Sequence, residues 1–259
     1  MFQFTEAQMS QWIADFFWPA VRIGAMLMAA PIFSIRQVPM RFRVLLMLMI
    51  TLVIQPMIPS APVVEFYSAE MVLIFAQQIA IGVLMGFILQ LAFNALIFGG
   101  QVMAYSMGLG FAHMMDPANG VQVPVVSQYW LIMAMLGFVM ANGHLILIGN
   151  VVDSFTIVPI ATDGLTRAGI WQLIEWSSTM FAAGLVMAMP VVIALLLINI
   201  GMGVVSRAAP QLNIFAIGFP ITLTAGFILI WITLPHVMGA FGNLAFEAMD
   251  VSMRILQVK

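Results

Sequence analysis

Long apolar stretches with almost no charge dominate this sequence and limit what it can fold into. A helix needs about 20 mainly apolar residues to cross the hydrocarbon core of a bilayer. Six stretches approach or exceed that length: 17–35, 44–58, 71–98, 129–149, 176–205 and 214–237. Because unpaired backbone groups are costly in lipid, helix is the only reasonable state for them. We therefore predict an all-α, polytopic membrane protein with about six hydrophobic helices.

The composition supports this prediction. Of 259 residues, 63% are hydrophobic and only 7% are charged, which is too little charge to coat a water-facing surface of this size. Lipid or partner subunits must cover most of it. The net charge of −2 and the lack of a Lys/Arg cluster exclude a nucleic-acid interface. There is no cysteine, so disulfides, thiolate nucleophiles and cysteine-ligated metals are excluded.

Both ends of the chain contain amphipathic helical patterns. Thr5 and Gln8 have the spacing of a capping box, and an apolar stripe follows at Met9, Trp12, Ile13 and Phe16. Near the other end, an apolar stripe lies opposite three charged residues, Glu247, Asp250 and Arg254. The members of this second stripe are Phe241, Leu244, Ala248, Val251 and Ile255. Each terminal helix either lies on a membrane surface or packs against a neighbour.

The distribution of charge predicts an orientation. The first connection carries three arginines, Arg36, Arg41 and Arg43, and the fifth carries Arg207. Acidic residues dominate the second and fourth connections, at Glu65, Glu70, Asp153, Asp163 and Glu175. The positive-inside rule then places the first, third and fifth connections in the cytoplasm. Both termini would face outward.

No arrangement of residues typical of catalysis is visible. The three histidines, His113, His144 and His236, are far apart, and no metal-binding histidine pair occurs. The sequence contains no nucleotide-binding loop or nucleophile turn, and Gly108 and Gly110 lack the rest of a dinucleotide fingerprint. We predict a protein that is not an enzyme and that carries no metal or cofactor.

Arg22 is the only charged residue well inside a predicted span. It could pair with Asp15, extend to the membrane surface, or meet an acidic partner subunit; extension to the surface is favoured. Proton-coupled transporters place Asp, Glu or His at mid-membrane, and this chain has none there. A small-solute secondary transporter or channel is therefore the alternative function rather than the leading one.

Polar amides and small residues are more frequent inside the spans. The amides are Gln77, Gln78, Gln90, Asn94 and Asn199, and Gly82 with Gly86 forms a pair four residues apart. Such residues allow helices to approach closely and to form hydrogen bonds across the contact. We predict that they serve helix packing, including packing against other subunits.

The connection 99–128 combines two features that rarely occur together. Its glycines and prolines disfavour a regular helix, yet it contains bulky apolar side chains. The residues of interest are Gly108, Gly110, Phe111, Met114, Met115, Asp116 and Pro117. Irregular backbone at membrane depth requires surrounding protein or a cavity, so a re-entrant plug in a pore explains both features. A packed surface loop explains them equally well.

Several short motifs occur in a fixed order along essentially the whole chain. In the first third they are Arg22, the run PIFS at 31–34, Val38-Pro39, Arg41 and Arg43, and in the middle the glycine-rich loop that ends at Asp116-Pro117. The most specific is SRAAPQLNIF at 206–215, followed by Gly218-Phe219-Pro220. With these motifs the chain resembles the FliR family of flagellar export-gate proteins, related to the SctT subunits of virulence type III secretion.

This resemblance implies a core structural and gating subunit of the flagellar type III export channel, through which unfolded flagellar proteins leave the cytoplasm. The implied location is the bacterial inner membrane, in the export apparatus of the flagellar basal body. The implied partners are FliP- and FliQ-like subunits, FlhB- and FlhA-like export components, exported polypeptides and lipid. The motifs also fit an injectisome, and overall similarity favours the flagellum.

The resemblance also assigns parts of the chain. A FliP-like portion would cover 1–175, including the loop 99–128, and a FliQ-like helical hairpin with the C-terminal amphipathic helix would cover 176–259. The family's plug maps to 108–117. Its hairpin turn on the cytoplasmic side maps to 207–213, where Arg207, Pro210, Gln211 and Asn213 are expected to cap the helices or contact a partner.

Overall fold

The computed structural model of the chain describes residues 5–35, 38–65, 68–110, 125–209 and 214–258, and the regular secondary structure of these residues is helical throughout. The helices are α1 (Glu6–Ala29), α2 (Met40–Ile54), α3 (Ala69–Ser106), α4 (Val125–Met140), α5 (Gly143–Ile157), α6 (Arg167–Ala208) and α7 (Ile214–Gln257). A short 3-10 turn, Gln55–Met57, follows α2. The all-α prediction is confirmed.

Five helical segments are long and apolar enough to cross a membrane. They are Gln8–Ala29, Met40–Met57, Ala69–Ser106, Arg167–Ala208 and Ile217–Gln257. The pair α4 and α5 would make a sixth span if it counts as one broken span. The prediction of about six hydrophobic helices is therefore confirmed.

The terminal amphipathic segments are not separate helices. At the N-terminus, the capping box is present, with the Gln8 N–H donating to Thr5 Oγ1 (3.4 Å) and the Thr5 N–H donating to Gln8 Oε1 (3.1 Å). From there α1 continues without a break to Ala29, and α7 likewise runs through the C-terminal stripe. Both helices continue even though each contains proline, Pro19 in α1 and Pro220 and Pro235 in α7, which cannot donate to the helix ladder.

Two helix boundaries differ from the sequence prediction. The stretch 129–149 is broken between α4 and α5, where Asn142 adopts a left-handed backbone conformation with φ of 56°. The connection 99–128 is shorter than predicted, because α3 extends to Ser106 and α4 begins at Val125. Its first glycines serve packing: a Cβ on Gly99 would lie 2.6 Å from the Gly184 carbonyl oxygen, and one on Gly100 would lie 2.9 Å from Ser127 Cα.

The chain divides into two compact units, each built from separate segments. Unit 1 comprises Met1–Leu91, Ala141–Ser177 and Ala245–Lys259; unit 2 comprises Ala92–Met140 and Ser178–Leu244. The predicted division into a FliP-like portion 1–175 and a FliQ-like portion 176–259 stays a prediction. The backbone itself is continuous helix across that point, since α6 runs from Arg167 to Ala208.

The core of unit 2 contains a cluster of aromatic rings. Phe93 on α3 makes edge-to-face contacts with Phe138 on α4, at a centroid separation of 5.7 Å, and with Phe241 on α7, at 4.9 Å. All three rings are buried. Edge-to-face pairs align the positive edge of one ring with the negative face of the next, which adds a directional component to simple burial. This cluster therefore fixes three helices of unit 2 against one another.

Candidate functional site

Arg22 lies at the centre of unit 1 and is completely buried. Its Nε donates to Gln78 Oε1 on α3 (2.8 Å), and one terminal nitrogen donates to Ser154 Oγ on α5 (3.0 Å). The other terminal nitrogen donates to the backbone oxygen of Val158 (2.9 Å). The guanidinium carbon also lies 4.0 Å from the centre of the Phe155 ring. A single side chain on α1 thus binds α3 and the C-terminal end of α5.

The three oxygens that accept hydrogen bonds from Arg22 belong to an amide, a hydroxyl and a backbone carbonyl, so neutral dipoles rather than a carboxylate solvate its positive charge. Val158 directly follows the last residue of α5, where the helix dipole gives the carbonyl oxygens a partial negative charge. The face of the Phe155 ring adds a second region of negative potential. The cation is therefore stabilised by the end of α5 and by an aromatic ring.

This environment contradicts both the favoured interpretation of Arg22 and its proposed pairing with Asp15. Its side chain does not extend to the surface, because buried oxygens within reach of the planar guanidinium outweigh exposure to water. Asp15 has different partners: its Oδ1 accepts hydrogen bonds from Gln11 Nε2 and from the Ala61 N–H, each at 2.8 Å. Asp15 thereby holds the segment after the 3-10 turn against α1.

The amides inside the spans do not share one role. Gln77 Oε1 accepts a hydrogen bond from the Leu165 N–H (3.0 Å), and Gln78 is fully buried beside Arg22. Gln90 and Asn94 are partly buried on α3, whereas Asn199 is exposed on α6. The Gln78 amide nitrogen has no hydrogen-bond partner among the residues described. Only Gln77 and Gln78 join separate segments through bonds seen here.

Gly82 and Gly86 bring α3 into contact with the backbone of α1. A Cβ on Gly82 would clash with the Arg22 carbonyl oxygen and would lie 2.8 Å from Ala25 Cβ. A Cβ on Gly86 would lie 2.6 Å from Ala29 Cβ and 2.7 Å from the Ala30 nitrogen. The close approach that these glycines permit brings Gln78, one turn away on α3, within reach of Arg22.

The C-terminal end of α3 is fixed by a Schellman motif in unit 2. Gly108 has φ of 84°, its N–H donates to the Tyr105 oxygen (3.0 Å), and the Leu109 N–H donates to the Ala104 oxygen (3.1 Å). The preceding Met107 is buried, and Thr222 Oγ1 on α7 donates to its backbone oxygen (3.4 Å).

Of the residues assigned to the loop, only the first glycines lie in the described part of the chain. Gly110 lies against Tyr105, whose Cδ1 would be 2.9 Å from a Cβ at that position. The others, Phe111, Met114, Met115, Asp116 and Pro117, lie outside the described residues. At the predicted hairpin turn, Arg207 is exposed in the last turn of α6, where the helix dipole stabilises a positive charge. Pro210, Gln211 and Asn213 also lie outside the described residues.

Sequence reasoning missed the partners of Arg22. Ser154 and Val158 are 132 and 136 residues away along the chain, so no local pattern connects them to α1. The one available signal was Arg22 itself, because a charge inside an apolar stretch requires partners. Among the described residues, no group of three His, Asp or Glu side chains is placed to hold a metal ion.

Known proteins match this chain over nearly its whole length. The family model described as bacterial export proteins, family 1, matches residues 13–248. A flagellar biosynthetic protein FliR from Escherichia coli K12 is 39% identical over 239 residues, covering 92% of this chain and 90% of the relative. The FliR of Pectobacterium carotovorum is 37% identical over 258 residues, covering 99% and 98%, and that of Bacillus subtilis is 27% identical over 240 residues, covering 91% and 92%.

Proposed function

Since the chain belongs to the bacterial export proteins, family 1, and is a subunit of the flagellar export apparatus, we propose that it forms part of the export channel itself and helps to close it. The observation that carries this proposal is the match to the family model over residues 13–248, together with FliR relatives that align along nearly the whole chain. The family is a structural component of protein export rather than a family of enzymes. Nothing in the comparisons supports the small-solute transporter.

The chain is a membrane-embedded export component that works with other components of the apparatus. We propose that these include FliP- and FliQ-like subunits in one complex, with FlhB- and FlhA-like proteins beside it, in the inner membrane at the flagellar basal body. Large apolar side chains exposed on several helices support a packed complex. Among them are Val53 on α2 at 70%, Leu197 on α6 at 65% and Trp231 on α7 at 74%.

A deletion strain tests the proposed function. Removing this chain from its host should abolish secretion of flagellar proteins into the medium, and supplying the full chain should restore it. Purification of the restored chain in mild detergent should recover the FliP- and FliQ-like subunits as one monodisperse particle. Normal secretion without the chain, or a monodisperse single chain with the other subunits present, would contradict the proposal.

We also propose that the segment 108–117 closes the channel, with Phe111, Met114 and Met115 as its apolar seal. Apolar side chains seal a narrow constriction by excluding water, and methionine adapts to a passing polypeptide. Support comes from the start of the segment, because the Schellman motif at Gly108 gives it a defined starting point at the end of α3. The turn 207–213 is proposed as a contact for a cytoplasmic partner, since Arg207 is exposed and the sequence carries two amides, Gln211 and Asn213, within the same short segment.

Deleting 108–117 tests the seal separately from assembly. The complex should still assemble, yet vesicles containing it should leak small ions faster than vesicles with the intact complex. The double variant Gln211→Ala, Asn213→Ala should keep the vesicles tight while it reduces swimming motility. An assembled deletion complex that stays tight to ions would refute the seal, and normal motility of the double variant would refute the contact at the turn.

A further inference from the structure

The residues that follow the end of α3 pack against one face of α7 within unit 2. Phe219, Thr222 and Gly226 are three and four residues apart on α7, so they lie on the same side of that helix. Thr222 and Gly226 contact Met107, and Phe219 lies beside Gly108. From Gly108 the chain enters the segment 108–117, the proposed seal. The face of α7 at 219–226 therefore borders the point at which the seal begins.

Gly226 forms a notch that the Met107 side chain fills. A Cβ on Gly226 would lie 2.5 Å from Met107 Cγ, 2.9 Å from its Sδ and 2.7 Å from its Cε. Three consecutive atoms of the methionine therefore lie directly on the backbone of α7. Met107 is fully buried, so its side chain is enclosed on the other sides as well. A rotation of the terminal methyl group alone would not make room for a Cβ at Gly226, because Cγ is the nearest atom.

The backbone of Met107 is bound at the same place. Thr222, one turn before Gly226, donates from Oγ1 to the Met107 oxygen (3.4 Å). The Met107 N–H donates to the Met103 oxygen (3.0 Å), which continues the hydrogen-bond ladder of α3 by one residue. Because the bond from Thr222 is long, the filled notch contributes more to this contact than the hydroxyl does.

The turn after Met107 transmits its position to the following residues. Gly108 has a φ of 84°, and the hydrogen bonds of the Schellman motif join Ala104 to Leu109 and Tyr105 to Gly108. These bonds hold the turn in one geometry relative to the end of α3. A displacement of Met107 therefore moves Gly108, and with it the start of the segment 108–117.

We propose that Met107 in the notch at Gly226 is a latch by which α7 positions the seal of the export channel. A side chain at Gly226 displaces Met107, and the turn at Gly108 carries that displacement into the segment 108–117. Gly226 is a positioning residue, because it acts through Met107. This inference rests on the proposed function of the segment 108–117 as a seal, and it adds the part of the fold that sets where the seal begins.

Ion leak from vesicles that contain the assembled complex tests the latch. Gly226→Ala in the full chain, purified with the proposed FliP- and FliQ-like subunits, should raise the leak about tenfold, because an apolar constriction excludes water only while its side chains meet. Recovery of the complex should stay within about twofold of the wild type, since the new methyl group meets a flexible side chain rather than backbone. The matched control is Gly239→Ala on the same helix, where no atom lies within 4 Å of a Cβ. An equal leak from both variants would refute the latch.

A compensating substitution tests the contact between the two residues. Met107→Ala empties the notch and should raise the leak about threefold, because the start of the seal is then held less firmly. The double variant Met107→Ala, Gly226→Ala should leak less than Gly226→Ala alone, since the shorter side chain leaves room for the new methyl group. If the two increases multiply in the double variant, the residues act independently and the latch is wrong.

The outcomes separate the latch from the seal. If deletion of 108–117 makes the vesicles leak and Gly226→Ala leaves them tight, the latch is refuted and the seal stands. If the assembled deletion complex stays tight, the seal fails and the latch fails with it. If Gly226→Ala prevents assembly, a double variant that assembles and stays tight supports the latch. A double variant that also fails to assemble shows that Gly226 serves packing alone, and this too overturns the latch.

Discussion

The interior of unit 1 and the interior of unit 2 are stabilised by different kinds of contact. Unit 1 has a buried cation at its centre, and Arg22 connects three helices through hydrogen bonds of 2.8–3.0 Å. Unit 2 is organised by the rings of Phe93, Phe138 and Phe241 and by glycine contacts, such as that between Gly99 and Gly184. Both units are built from strongly apolar sequence, so hydrophobic burial alone does not account for the difference.

The difference concerns how narrowly each arrangement is specified. A guanidinium satisfies its partners only in one geometry, and a displaced helix leaves buried polar groups unpaired at a cost of about 1–3 kcal/mol each. Apolar rings tolerate small shifts, because dispersion changes gradually with distance. Unit 1 should therefore respond to a change of chemistry at one position, whereas unit 2 should respond mainly to a change of volume.

The largest expected effect comes from Arg22. Arg22→Met keeps an unbranched, flexible side chain but removes the guanidinium and every donor, so Gln78 Oε1, Ser154 Oγ and the Val158 oxygen lose the hydrogen bonds they accept from it. We expect a loss of about 3–5 kcal/mol in the free energy of unfolding. Arg22→Lys should lose about 2 kcal/mol, because one ammonium cannot reproduce the planar fork.

Thermal unfolding of the purified chain in detergent measures this effect. Arg41→Met is the matched control, since Arg41 is exposed on α2 and its replacement should change stability by less than about 0.5 kcal/mol. If Arg22→Met unfolds at the same temperature as the wild type, the contrast between the two units disappears. Unit 1 would then also be held by burial alone.

A smaller effect is expected from glycines at helix contacts, and here the two units should behave alike. A Cβ at Gly82 in unit 1 would clash with the Arg22 carbonyl oxygen, and one at Gly184 in unit 2 would clash with the Ala95 carbonyl oxygen. Since backbone atoms cannot turn aside as a flexible side chain can, Gly82→Ala and Gly184→Ala should each cost about 1–3 kcal/mol.

Gly201→Ala on α6 is the control for both variants. No atom lies within 4 Å of a Cβ at that position, so the variant should be neutral or gain up to about 1 kcal/mol from helix propensity. The same unfolding measurement compares all three. A stable Gly184→Ala beside an unstable Gly82→Ala would show that unit 2 adjusts its helix spacing and that unit 1 does not.

Sequence patterns located most of the helices for a clear physical reason. Length and apolarity are properties of a local stretch, and lipid leaves helix as the only alternative, so α2, α3, α6 and α7 were visible before the structure. The ends of the helices were harder to predict from the sequence. Gly99 and Gly100 were interpreted as helix breakers, yet both lie inside α3, because a glycine that admits a neighbouring helix looks the same in sequence as one that ends a helix.

The centre of unit 1 was only half predictable. The sequence indicated that polar partners must exist for the charge of Arg22 and for the amides of Gln77 and Gln78, since none of these groups is tolerated alone in an apolar interior. Their partners on α5 and after it include a backbone oxygen at Val158, which no side-chain pattern encodes. The prediction that the Arg22 side chain extends to the surface was wrong because it compared water only with lipid and did not consider hydrogen bonds to buried oxygens of the protein.

The smallest change in stability is expected from substitutions at two residues with a left-handed backbone, Asn142 in unit 1 and Gly108 in unit 2. Glycine adopts this conformation without strain and asparagine adopts it at low cost, while other side chains pay about 1 kcal/mol. Gly108→Ala should therefore lose about 1 kcal/mol, with a further contribution from Phe219 Cδ2, which would lie 3.3 Å from the new Cβ.

Asn142→Gly should change stability by less than about 0.5 kcal/mol, because the Asn142 side chain makes no capping hydrogen bond and glycine suits the same φ of 56°. Asn142→Ala should lose about as much as Gly108→Ala, since both then place an alanine in the left-handed region. Equal losses would mean that local backbone geometry acts in the same way in both units, and that their contrast lies in side-chain chemistry alone. A loss at Asn142→Gly as large as that at Asn142→Ala would show instead that the amide has a partner role in unit 1, and would extend the polar character of that unit beyond Arg22.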